Sequence, residues 1–102
     1  MLDIHDNEGV VSIRIDTESL DRANAGELRD AAAAAIGAAT RSVEIDCGVL
    51  KFIDSSGVGA LLHVNNLLPE DRRPVKLLNV AATVLSVLEL VRVHRLFALE
   101  KE

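Results

Sequence analysis

The clearest pattern lies near the N-terminus, where Gly9-Val10-Val11-Ser12-Ile13-Arg14-Ile15 alternates apolar and polar residues. A period of two predicts a half-buried strand. Leu2 and Ile4 alternate in the same way, and Asp6-Asn7-Glu8-Gly9 between the two segments supplies turn chemistry. The chain should therefore open on a hairpin. Over residues 24–38 the period changes. Leu28, Ala32, Ala35 and Ile36 make a helical stripe, and Asn24 stands where an N-cap belongs. Residues 42–47 form a short β-branched run, read as a central strand. A second helix is expected over 55–68, stopped by Pro69, then a strand over 74–80 and a third helix over 81–90. Residues 96–99 add a short terminal strand. After the hairpin, strands alternate with helices, which predicts parallel pairing through right-handed crossovers. The expected fold is α/β: one domain over 1–102, a mixed sheet opened by a hairpin, with helices largely on one face.

Composition narrows what such a fold can do. The 102 residues are 49% apolar and 26% charged, ordinary values for a folded domain with one core. A net charge of −5 opposes nonspecific attraction to nucleic acid or anionic lipid, and suits a basic protein partner. Phe52 and Phe97 are the only aromatic residues, too few for a base-stacking platform. Cys47 is the lone cysteine, so no internal disulfide and no cysteine-rich metal site is available. The N-terminus lacks the basic region and apolar run of a signal peptide, and no apolar run reaches membrane-spanning length. The expected location is cytoplasmic.

The candidate chemistry lies where the central strand leads through a short loop to Asp54-Ser55-Ser56-Gly57 and the second helix begins. Either Asp54 or Ser55 can cap the free N–H groups of the first turn. The same turn presents a hydroxyl beside the positive end of the helix dipole, where an added phosphate would meet backbone donors. Gly57 and Gly59 keep the first turn free of bulk, so a partner's backbone can approach closely. A well-capped helix packed tightly on a sheet would carry the same residues, and spacing does not choose between Ser55 and Ser56.

The block from Phe52 to Leu61, Phe52-Ile53-Asp54-Ser55-Ser56-Gly57-Val58-Gly59-Ala60-Leu61, resembles the signature of STAS domains, above all bacterial anti-sigma-factor antagonists. Residues 19–28 resemble the family's segment entering the first helix, with Asp21 on its aspartate. Val75-Lys76-Leu77-Leu78-Asn79-Val80 and Leu96-Phe97 resemble its final strand and C-terminal region. The resemblance implies a switch rather than an enzyme. Ser55 would be the residue phosphorylated by a serine kinase that doubles as an anti-sigma factor, and a serine phosphatase would reset it. Asp54 would orient the hydroxyl or the metal of an incoming phosphate. Ser56, Gly57 and Val58 would form the contact rim, with Asp21 as a further partner contact. No cofactor, metal, nucleic acid or membrane is implied. The alternative is a STAS accessory subunit of an ABC transporter of the lipid-asymmetry type. Two departures stand out: Glu18 and Ser19 replace the usual Gly-Glu, and Arg92 stands where a glycine often ends the third helix, so that helix should end differently.

Rival chemistry fits poorly. His63 lies eight residues beyond Ser55, roughly two helical turns or ~12 Å, outside the reach of a general base. His5, Cys47, His63 and His94 lack ligand spacing. Gly57-Val58-Gly59 lacks the third glycine of a dinucleotide loop. Cys47 and the stripe Leu77, Leu78, Val84, Leu85, Leu88 are expected in the core, Arg72-Arg73 in a solvated turn, and Arg92, His94 and Arg95 at a helix end whose charge they balance.

Overall fold

The computed structural model describes residues 1–101. The hairpin forms from β1 (Leu2–Asn7) and β2 (Val10–Ile15), paired antiparallel with Asn7 opposite Val10. Glu8 and Gly9 between them both take positive φ, 52° and 88°. Two such residues match the right-handed twist of the flanking strands, and Asp6 Oδ1 accepts from the Gly9 N–H at 3.1 Å. A two-residue strand, β3 (Ser19–Leu20), precedes α1 (Ala25–Ala35). Then follow β4 (Ser42–Asp46), β5 (Phe52–Ile53), α2 (Ser55–Leu67), β6 (Lys76–Val80), α3 (Ala82–Leu90) and β7 (Ala98–Lys101).

The main sheet has the order β1-β2-β4-β6-β7, with every pairing after the hairpin parallel. Its strands sort by face. Val11, Ile13, Ile15, Val43, Ile45 and Leu77 are buried, and they meet Leu28 and Ala32 of α1, Leu61 and Val64 of α2, and Val84 and Leu88 of α3 in one core. The alternate positions Ser12, Arg14, Glu44, Asp46 and Lys76 are polar, and Ser12 donates to Glu44 across the register at 3.0 Å. A sheet with one apolar face buries it under helices, as the alternation predicts. Cys47 lies in the core, its thiol pushed up to about 12 by burial and, less, by the charge of Asp46.

The differences from expectation have local causes. The first helix stops at Ala35 rather than 38, because residues 37–40 close a turn of their own: Thr40 donates its N–H to Gly37, whose N–H returns to Thr40 Oγ1. Asn24 occupies the N-cap position but caps nothing; its side chain accepts from Asp21 N–H and donates to the Ser19 carbonyl. The expected solvated arginines are structural. Arg72 donates to the carbonyls of Ala38 and Thr40 at 2.8 and 2.7 Å, and Arg73 donates to Leu68 at 2.7 Å. They satisfy carbonyls that the 37–40 turn and the end of α2 leave free. Finally, α3 does not end differently. Arg92 takes the left-handed conformation itself, φ 61°, with Arg92 N–H bonded to Glu89 and Val93 N–H to Leu88. That is a Schellman close built on arginine instead of glycine.

Candidate protein-binding site at the start of the second helix

Two distant stretches of chain meet here. The carbonyl of Glu18 accepts from the N–H groups of Lys51 and Phe52 at 2.7 and 2.9 Å, and Leu20 accepts from Asp54 at 3.3 Å. These bonds make β3 and β5 a separate parallel pair, Ser19 beside Phe52 and Leu20 beside Ile53. Sequence reading had no signal for it, since two-residue strands are too short to show a period. The pair carries the chain to Asp54 in extended conformation, φ −108° and ψ −173°, and α2 starts at the next residue.

Asp54, not Ser55, is the cap. Its Oδ1 accepts from the Gly57 N–H at 2.9 Å, while Oδ2 accepts from the Arg22 N–H at 3.2 Å. One carboxylate thus closes the first turn of α2 and ties it to the loop before α1. That loop is internally cross-linked: Asp21 accepts from the Ser19 hydroxyl at 2.8 Å and from the Ala23 N–H at 2.9 Å. With both its oxygens occupied inside the loop, Asp21 holds the shape of the surface facing Asp54.

Ser55 is exposed, and its hydroxyl has no hydrogen-bond partner among the described residues; Ser56 is half-buried. The Ser56 hydroxyl has no partner among them either, so the two serines differ in exposure alone. Gly57 and Val58 lie below the surface. The close approach at Gly57 is made by the chain itself: a Cβ there would fall on the Leu20 carbonyl oxygen and within 2.6 Å of Ile53 Cγ1. At Gly59 a Cβ would meet only the end of Arg29, at 3.1 Å. Glycine at 57 is thus required by the fold, before any partner is considered.

Sequence reading missed the largest apolar feature of this surface. Phe52, 63% exposed, stands two residues before Asp54 at the rim. A side chain of that size left in water is informative where an exposed polar one is not. His63 lies eight residues into α2 and is half-buried, and no cluster of three or more His, Cys, Asp or Glu able to hold a metal occurs among the described residues. The arrangement offers an exposed hydroxyl, an anchored carboxylate, a positive helix end and an apolar side chain: a surface for recognition.

Solved structures share this architecture. The unphosphorylated form of the anti-sigma factor antagonist SpoIIAA is 26% identical, over 88% of this chain and 83% of that one, with a TM-score of 0.70. The phosphorylated form of the Bacillus protein SpoIIAA is 24% identical over 100% and 93%, TM-score 0.73. An anti-sigma-factor antagonist (STAS) domain protein from Planctomyces limnophilus reaches a TM-score of 0.86 at 20% identity, over 99% and 90%. No curated protein matches the chain. The family model described as "Mlab, STAS domain" matches residues 1–100, nearly the whole sheet-and-helix unit, and the chain belongs to that STAS family.

Proposed function

We propose that this chain is an anti-sigma-factor antagonist that switches partners through Ser55. Unphosphorylated, it binds an anti-sigma factor that is also a serine kinase, over a surface of Phe52, Asp54, Ser55 and Ser56, and so frees what that partner restrains. Phosphorylated, it lets go until a serine phosphatase resets it. The observation that supports this most is the exposed, unbonded Ser55 hydroxyl at the first position of a helix already capped by Asp54. A phosphate there needs no existing bond broken and meets the dipole of α2 favourably. Bound against a partner, the same phosphate adds about two negative charges to a desolvated contact.

Asp54 stays occupied by Gly57 and Arg22 in this reading, so it positions the turn. Asp21 acts at one remove, by shaping the loop. Gly57 and Val58 support the rim from beneath. The test compares Ser55→Glu with Ser55→Ala by calorimetry against a kinase captured on the Ser55→Ala protein. The glutamate should weaken binding more than a hundredfold, since an unpaired buried charge costs several kcal/mol, while the alanine binds and cannot be phosphorylated. Equal affinities for the two variants would sink the switch.

A second reading, a STAS accessory subunit of a lipid-asymmetry ABC transporter, is favoured by the Mlab description of the family. Co-purification with an ABC ATPase, unchanged by Ser55→Glu, would select it.

A further inference from the structure

The large apolar side chains left exposed among the described residues are Phe52, Leu90, Val91 and Leu96. Phe52 belongs to the surface above. The other three fall together at the end of α3 and in the short turn that follows it, with Leu90 81% exposed and Val91 and Leu96 each 49%. Cations are interleaved with them. A recess of about 400 Å³ is lined by Glu89, Arg92, His94 and Arg95. On the other side of Arg95 a second recess, about 510 Å³, runs past Leu96, Leu62, Asn66 and Arg73. The two recesses share Arg95, and together they carry three arginines against one carboxylate.

This is a basic, apolar patch on an acidic chain. The whole sequence carries −5, so the surface outside the patch is more negative still. From that contrast we infer a second docking surface, made by Arg92, Arg95, Leu62 and Leu96 and edged by Arg73, whose Nε is held by the Leu68 carbonyl, for an acidic protein segment with apolar anchor residues. Guanidinium groups bind carboxylates through paired hydrogen bonds, and arginine with large apolar groups is the composition that interface centres favour. A segment engages the patch alone. A flat anionic membrane would also face the acidic remainder of the domain, which it repels. A second copy docked by twofold symmetry would set arginine against arginine.

The surface lies at the far end of α3 from the contact that helix makes beside β5. Thr83, near the start of α3, donates to the Lys51 carbonyl at 2.6 Å beside β5, and Leu90 lies seven residues further along the helix, ~10 Å away at the helical rise.

The test screens the full chain against a displayed library of short peptides randomised over aspartate, glutamate, leucine, phenylalanine and serine. Selected peptides should combine carboxylates with apolar anchors, and their amide shift changes should fall on residues 89–96 and 62–73. The double variant Arg92→Glu, Arg95→Glu should weaken them tenfold or more while its thermal melt stays two-state, and Ser55→Glu should leave their affinity unchanged. The inference fails if no peptide is selected, or if those selected map to Ser55 or ignore the charge reversal. It fails equally if the reversal instead abolishes sedimentation with phosphatidylglycerol vesicles, or abolishes dimerisation seen by ultracentrifugation.

Discussion

The start of α2 and the end of α3 are built by opposite rules. At the start of α2 the demands of the backbone are met: an aspartate caps, a glycine stands where any Cβ would strike backbone, and both carboxylate oxygens are used. The end of α3 does the reverse. It places an arginine in a left-handed conformation and leaves Leu90 in water. A left-handed residue with a Cβ costs roughly 1–2 kcal/mol. The difference teaches that exposure need not come with strain: Phe52 is left in water at the first site too, on a turn without a left-handed residue. The Ser55 turn is held by both oxygens of Asp54, so the proposed phosphate would add charge without breaking a bond. The α3 terminus carries its departures on the surface, where a partner can use them.

The largest effect should come from Gly57→Ala. The new methyl meets the Leu20 carbonyl, which β3 cannot move without breaking its bond to Asp54. Overpacking costs about 1–3 kcal/mol and more against backbone, so the melting temperature should fall by about 4–24 °C. Gly59→Ala is its control. There only the flexible end of Arg29 must give, and alanine's helix preference should raise stability by up to about 1 kcal/mol. Similar losses in both would show that the first turn of α2 is not specially constrained.

Next comes Asp54→Ala, which removes the cap and the tie to Arg22 together. A loss of about 1–2 kcal/mol in urea titration is expected. Asp54→Asn keeps an acceptor and should lose less. A loss below 0.5 kcal/mol, in the sense of roughly the noise of surface substitutions, would make the bridging carboxylate incidental.

Smaller and opposite in sign is Arg92→Gly. Relief of the left-handed strain, less the unfolded-state entropy of glycine, should stabilise by about 0.5–1 kcal/mol. The melting temperature would rise by a few degrees. Destabilisation would mean that the arginine side chain holds the α3 terminus in place. The smallest effect is expected from Leu90→Ser, within about 0.5 kcal/mol either way for so exposed a residue. A larger loss would make Leu90 part of the core's cover.

How much of this was legible in the sequence depended on the range of the forces involved. The hairpin, the three helices and the central strands follow from periodicity, and each appears within three residues of its expected bounds. Interactions that join distant segments left no such trace. Arg72 and Arg73 look like any polar turn until the fold brings the carbonyls of Ala38, Thr40 and Leu68 within reach. Asn24 has the identity of a cap, but its side chain is taken by the Asp21 N–H and the Ser19 carbonyl of the preceding turn. The position of the Ser55 turn was legible from its residues. The choice of Asp54 as cap was not, because both candidates have an acceptor at suitable spacing. Exposure of Phe52 was invisible for a simpler reason: an apolar residue before a helix reads as core.

The pairing of β4 with β6 has a consequence for when the molecule acquires its surface. Ser55 lies between these two strands in sequence, and they are neighbours in the sheet. Everything from residue 47 to 75 is therefore a single crossover, closed only when the middle of the sheet zips. The opening hairpin needs no such closure and can form from neighbours along the chain. A nascent or loosened chain can hold its N-terminal pairing while Ser55 still lacks β3 beside it and the tie from Asp54 to Arg22. Recognition of the Ser55 turn would then read completed folding as well as charge, and unfinished chains would be silent to any partner that requires it.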